Sequence, residues 1–296
     1  MIAISTMPSL LTAKHFASKM DENVKRVESR DSDYIKDSNE TNIHDIRTAV
    51  RRLDATYKSL PKKLRRTNRV SKYMTISKRL FKLNSQIRDY DIIGEKLQKY
   101  SSNSGYKNIA ELLRKRRETK LASARKVALS LRDRNRPQIN ENEIPLSKLE
   151  ARFNKIVSRL VESIELDLPV VLTNPDKTKE LHELRKDCKK LRYLLELIPH
   201  HDNNSNDKEV NSKDINAMIT TLEDIQDILG SIHDNDTMIS FIKQVSRKNK
   251  NKKDVNHILH DEISERSKKY EDLIQFCKRN LSDNTHNFLK QIALMG

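Results

Sequence analysis

Two stretches of this chain repeat one another without a gap: IHDIRTAVRRLDATYKSLP, from Ile43 to Pro61, and LHELRKDCKKLRYLLELIP, from Leu181 to Pro199. The match sets His44 against His182, Asp45 against Glu183, Ile46 against Leu184 and Arg47 against Arg185. It then sets Arg51 and Arg52 against Lys189 and Lys190, Leu53 against Leu191, and Pro61 against Pro199. Few features constrain a fold more, because an echo of this kind predicts one supersecondary unit present twice.

A second echo follows each copy. LNSQIRDYD, Leu83 to Asp91, resembles ILGSIHDND, Ile228 to Asp236, so that Asp89 and Asp91 match Asp234 and Asp236. Around these segments the apolar residues recur with helical period. With only 4 Gly and 7 Pro and no Trp, little interrupts them. The spacing predicts helices over 10–30, 41–60, 70–100, 106–134, 146–168, 175–198, 213–248 and 254–282, and a short ninth over 285–294. Pro61, Pro137, Pro145, Pro169, Pro175 and Pro199 fall at or beside these ends. Asn174-Pro175 reads as an N-cap followed by proline at the first helical position.

The expected fold is therefore all-α: two pseudo-symmetric four-helix bundles from an internal duplication. The halves cover 10–135 and 146–282, with a polar, proline-bounded linker at 136–145 and an extension at 283–296. Together they form one domain over 1–296. HHDNNSNDKEVNSKD, His200 to Asp214, reads as a surface loop.

Each helical residue advances about 100°. From His44, Arg51 and Lys58 lie roughly 20° and 40° to one side and Arg47 roughly 60°, while Ile46, Val50, Leu53 and Tyr57 gather on the opposite face. In the second copy His182, Arg185, Lys189 and Arg192 form one stripe and Leu184, Cys188, Leu191 and Leu195 the other. Like charges three and four residues apart cost a lone helix a few tenths of a kcal/mol per pair. Their recurrence with histidine at the same spacing points to an anion laid along the stripe. Arg offers a planar fork to phosphate oxygens, Lys a mobile charge, and His a charge that switches near neutral pH. Both histidines are expected to make affinity rise as the pH falls through about 6.5.

Charge agrees with this, since 58 Lys and Arg against 42 Asp and Glu give a formal +16, which raises the local concentration of anions. The four glycines are too scattered for a P-loop or a dinucleotide-binding turn, so side chains must hold any phosphate. Cys188 and Cys277 show neither metal-ligand spacing nor a disulfide framework. The N-terminus has no signal-peptide pattern, and no window is apolar enough to span a membrane. A soluble, cytoplasmic protein without membrane attachment is the expectation.

The pattern H-[DE]-[IL]-R-x-x-x-[RK]-[RK]-L, present twice and each time followed by x-D-x-D, resembles the CHAD family, the conserved-histidine α-helical domains. The resemblance runs from about residue 10 to 282. It implies a non-enzymatic module whose two four-helix bundles enclose a central basic groove that binds inorganic polyphosphate and directs proteins to polyphosphate granules. Carried over, His44, Arg47, Arg51 and Arg52 match the first motif, and His182, Arg185, Lys189 and Lys190 the second. Arg192 extends the second stripe, and Lys78, Lys82 and Arg88 look like basic positions on the next helix. The corresponding stretch of the second half, TTLEDIQDILGSIHDND, carries few cations. No cofactor, metal or catalytic residue is implied. Many relatives carry an attached triphosphate-tunnel domain, which this chain has no room for. The resemblance says nothing of oligomeric state.

Two other readings compete. Basic helices attract nucleic acid nonspecifically, although no helix-turn-helix, zinc-finger or RNA-recognition signature is present and aromatics for stacking are few. The dipeptides His44-Asp45 and His233-Asp234 and the segment HILHDE, His257 to Glu262, suggest a metal-dependent phosphohydrolase. Such a site needs further ligands from several helices. Asp89, Asp91, Asp234 and Asp236 fit turn caps or partners for groove cations better than metal ligands.

Overall fold

A computed structural model describes residues 11–101, 106–199, 212–246 and 252–281. Among them the elements are α1 (Ala13–Lys36), α2 (Glu40–Ser59), the single turn α3 (Lys62–Arg65), α4 (Asn68–Leu97), α5 (Tyr106–Arg132), α6 (Leu146–Thr173), α7 (Thr178–Leu195), α8 (Ser212–Ser246) and α9 (Lys252–Leu281), with no strand. The all-α expectation holds. The segment over 285–294 and most of 200–214 lie outside the described residues.

Local chemistry sets the helix ends. Thr12 caps α1 by accepting from the His15 amide at 3.1 Å, and Asn39 caps α2 by accepting from the Asn42 amide at 2.9 Å. Such caps satisfy donors that no intrahelical carbonyl can reach. Two proline expectations are corrected. Pro169 does not end α6, which runs on to Thr173. Asn174-Pro175 does not start α7 either. The Asn174 side chain instead accepts from the Asp176 amide at 2.9 Å, making a turn, and α7 begins at Thr178.

Helices α1, α2, α4 and α5 pack on one another, as do α6, α7, α8 and α9 along the chain; across the divide α2 meets α7 and α6, and α4 meets α8. The helices carrying the two motif copies are therefore neighbours. One apolar core crosses the divide, from Phe16, Ile46 and Leu53 to Phe153, Leu184 and Leu191, and a second at the far end joins Ile93 and Leu113 to Met238 and Phe241. Polar contacts fix the docking. The Arg152 Nε donates to the Lys58 carbonyl at 2.5 Å, Lys96 reaches Glu262 at 2.8 Å, and the Asn235 amide donates to the same carboxylate at 2.9 Å. Glu262 is fully buried, with Lys96 as its cationic partner. No helix among the described residues is long and apolar enough to cross a membrane.

Candidate functional site

Where α2 meets α7, cations from both motif copies converge. Arg47 and Arg51 come from α2, Arg185 and Lys189 from α7. None of the four has a carboxylate within ion-pair distance among the described residues. The Nε atoms of Arg47 and Arg185 are buried without a hydrogen-bond acceptor. The guanidinium carbons of Arg51 and Arg47 stand 5.1 and 5.9 Å from the centre of the Phe81 ring, whose electron-rich face partly offsets their loss of water.

Proximity shows in the protonation equilibria. Burial, with Arg185, Arg51 and Arg47 beside it, pushes the Lys189 ammonium down to about 7. Burial and Arg51 lower Arg47 to about 10, and burial lowers Arg185. Folding has placed four like charges together where water is scarce, an arrangement that favours any bound anion.

Near these cations lie the first aspartates of each x-D-x-D segment. Burial raises Asp89 and Asp234, although Arg47 sits by the former and Arg185 by the latter. The second aspartates face away. Asp91 accepts from the Arg117 Nε of α5 at 2.5 Å, and Asp236 accepts from the Arg266 Nε of α9 at 2.5 Å. None of the four caps a turn, since all lie within α4 and α8. Asp89 and Asp234 belong to the cation cluster, whereas Asp91 ties α4 to α5 and Asp236 ties α8 to α9. Arg117→Met is expected to lower the unfolding free energy by about 3 kcal/mol, because it strands the buried Asp91 carboxylate. A denaturant titration measures this, and ligand affinity should not change at temperatures where the variant is folded.

The remaining motif cations are already neutralised. Arg52 is 2.8 Å from Glu196 and Arg192 is 2.5 Å from Glu223, and both guanidiniums face the Tyr193 ring. Lys190 reaches Asp187 at 2.6 Å, Lys78 and Lys58 share Asp54 at 2.8 and 2.7 Å, and Arg88 bridges Glu40 and Glu95 at 3.4 and 3.9 Å. Lys82 is exposed. At the register of the two echoes, the pair Asp54–Lys78 corresponds to Arg192–Glu223. The charges are exchanged, so the two flanks of the cluster differ.

The cluster opens on a cavity of about 270 Å³ between α2, α4, α6 and α7. Arg51, Arg185 and Lys189 reach it, Lys58, Lys78, Lys186 and Lys190 stand around it, and Asp54 is its one acidic lining residue.

The family model of the CHAD domain matches residues 19–243. The chain belongs to the CHAD family. No curated protein matches it. Among solved structures it is similar to the crystal structure of the CHAD domain from the plant Ricinus communis, with a TM-score of 0.62 over 92% of each chain at 15% identity.

Within this CHAD domain the two motif histidines occupy unlike places. The His44 side chain is 64% exposed, with its Nδ1 3.5 Å from Asp45. His182 lies inward, its ring centre 5.0 Å from that of His233, and burial together with Lys186 and Arg185 lowers its pKa. His233 is the member that motif reading misses. It occupies the position of Arg88 in the second echo, and burial and Arg185 push it down to about 3. A neutral imidazole thus stands among the cations as a hydrogen-bonding group. Among the described residues no group of three or more His, Cys, Asp and Glu could hold a metal ion. His257 and His260 are exposed on α9, the first 3.2 Å from Asp261.

Proposed function

We propose that this CHAD domain binds inorganic polyphosphate, with the chain lying in a basic groove between α2 and α7. The observation that carries the reading is the convergence of Arg47, Arg51, Arg185 and Lys189, unpaired, with buried donors free on both arginines. A polyphosphate chain presents closely spaced anionic oxygens and no base or sugar, and it matches a site that offers forks and point charges without stacking surfaces. Lys78, Lys190, Arg52, Arg88 and Arg192, already paired, border the path and contribute less. Lys82 adds an exposed charge, and His44 and His182 flank the path. The reading is of binding without turnover, which would place the protein on polyphosphate granules in the cytoplasm.

The test is direct binding of long-chain polyphosphate at physiological salt, competed by duplex DNA, RNA and ATP, with analysis of chain length afterwards. Binding should survive competition, fall steeply with salt, and leave the chain intact. Equal displacement by nucleic acid would reduce the site to general polyanion affinity, and shortened chains would make the protein a hydrolase.

A further inference from the structure

The cavity beside the unpaired cations has a wall that an inorganic anion cannot use. Val50, Leu160, Leu194 and Tyr193 line it and are buried, and Ile156 and Phe81 are partly so. A polyphosphate chain laid against aliphatic carbon loses water and gains nothing in return, whereas a ligand with an apolar body gains several-fold in affinity per buried methylene. Of the cations around the cavity, Lys58 and Lys78 are held by Asp54, Lys186 by Glu183 and Lys190 by Asp187. Arg51, Arg185 and Lys189 are left to receive a charged group, directly beside the apolar wall. The site thus offers three unneutralised donors and a desolvated surface within one enclosure. That combination is typical of pockets for small organic ligands, in which a few convergent polar groups orient an apolar body.

We propose that this cavity takes an organic phosphate, a monoester with an apolar body, whose phosphate rests on Arg51, Arg185 and Lys189 and whose hydrocarbon packs on Ile156, Leu160 and Leu194. The ligand shares three cations with the polyphosphate path, so the two compete. Its binding does not depend on polyphosphate being a ligand. The asymmetry of the cluster supports the placement. On the opposite flank the corresponding positions carry Glu196 and Glu223 against Arg52 and Arg192, whereas Arg51, Arg185 and Lys189 on the cavity side have no carboxylate within ion-pair distance among the described residues.

The experiment compares n-octyl phosphate, n-butyl phosphate and inorganic phosphate by calorimetry, below the concentration at which octyl phosphate forms micelles. Octyl phosphate is expected to bind at least about tenfold more tightly than butyl phosphate, and inorganic phosphate most weakly. Ile156 is only partly buried, so Ile156→Trp should fold. It is expected to fill the cavity and abolish the gain from chain length while leaving polyphosphate binding unchanged. No gain from butyl to octyl would overturn the proposal, as would a gain that persists in Ile156→Trp. Binding to vesicles containing phosphatidic acid but not to monomeric octyl phosphate would also overturn it, since the attraction would then belong to a charged surface. A chain-length gain in a protein that ignores polyphosphate would sink the polyphosphate reading alone.

Discussion

Replacing Arg47, Arg51, Arg185 and Lys189 together by glutamine is expected to weaken binding of long-chain polyphosphate at least a hundredfold. Hydrogen bonds to charged groups contribute about 1.5–3 kcal/mol each, and tenfold in affinity is about 1.4 kcal/mol, so four such contacts exceed a hundredfold even with imperfect geometry. The dependence of log affinity on log salt should become shallower by about 3. Replacing Arg52, Lys190 and Arg192 in the same way is expected to cost less than about fivefold, since Glu196, Asp187 and Glu223 already neutralise them and leave little charge for a ligand. The quadruple variant should melt at a higher temperature than the native protein. Four unpaired like charges, two with buried free donors, oppose folding until an anion arrives. Calorimetry and thermal melting decide the matter. Equal affinity in the two variants, or a greater loss in the paired set, would remove the unpaired cluster from the site.

The stripe was legible in the sequence because helical periodicity is local, whereas ion pairing is not. Arg51 and Arg52 adjoin, and so do Lys189 and Lys190. Nothing in either segment distinguishes the free member from the paired one. The distinction comes from Glu196, which approaches Arg52 from far along the chain, and from Glu223 of α8, which reaches Arg192. His44 illustrates a second limit. It shares the stripe with Arg51, yet it lies two turns nearer the helix start and faces solvent. His233 could have been found, because the second echo aligns it with Arg88. A histidine in place of an arginine reads as the loss of a cation, and only its burial among Arg185, Lys189 and Arg47 identifies it as a neutral group of the cluster. The helices themselves were readable within a few residues. Pro169 misled because proline marks a cost rather than a boundary, and α3 is too short for any periodicity to register. The apolar wall of the cavity was invisible for another reason. Ile156 and Leu160 belong to α6, which packs on α7 along the chain, and only the docking of that pair onto α2 closes the cavity.

Sequence reading expects the histidines to give binding its pH dependence; a ligand held on the unpaired cluster should draw it from Lys189 instead. From α2 it is faced by Arg47 and Arg51, from α7 by Arg185 and Arg192, and from α8 by His233 and Asp234. Burial and these cations bring its pKa to about 7 instead of the ordinary 10.5. A bound polyanion reverses the balance and draws the pKa back up, so binding takes up a proton wherever the free protein has lost one. The sign follows from linkage. Below pH 7 the ammonium is charged in both free and bound protein, and affinity is at its plateau. Above pH 7 affinity falls by up to tenfold per unit until the pKa of the complex is reached, so from the low-pH plateau to pH 9 the expected loss approaches a hundredfold. The inner phosphates of a long chain are fully ionised throughout this range and add no slope. His233, already neutral, adds none either. Lys189→Arg keeps the charge at every pH and is expected to hold affinity nearly flat from pH 7 to 9, whereas His44→Gln with His182→Gln should leave the native slope in place. The same depressed lysine opposes folding of the unliganded protein. Its unfolded form binds the extra proton between about pH 7 and 10.5, so stability without ligand should rise with pH across that window. A slope that survives Lys189→Arg, or a native profile already flat above pH 7, would refute the assignment. Loss of the slope in the double histidine variant would return the role to the imidazoles.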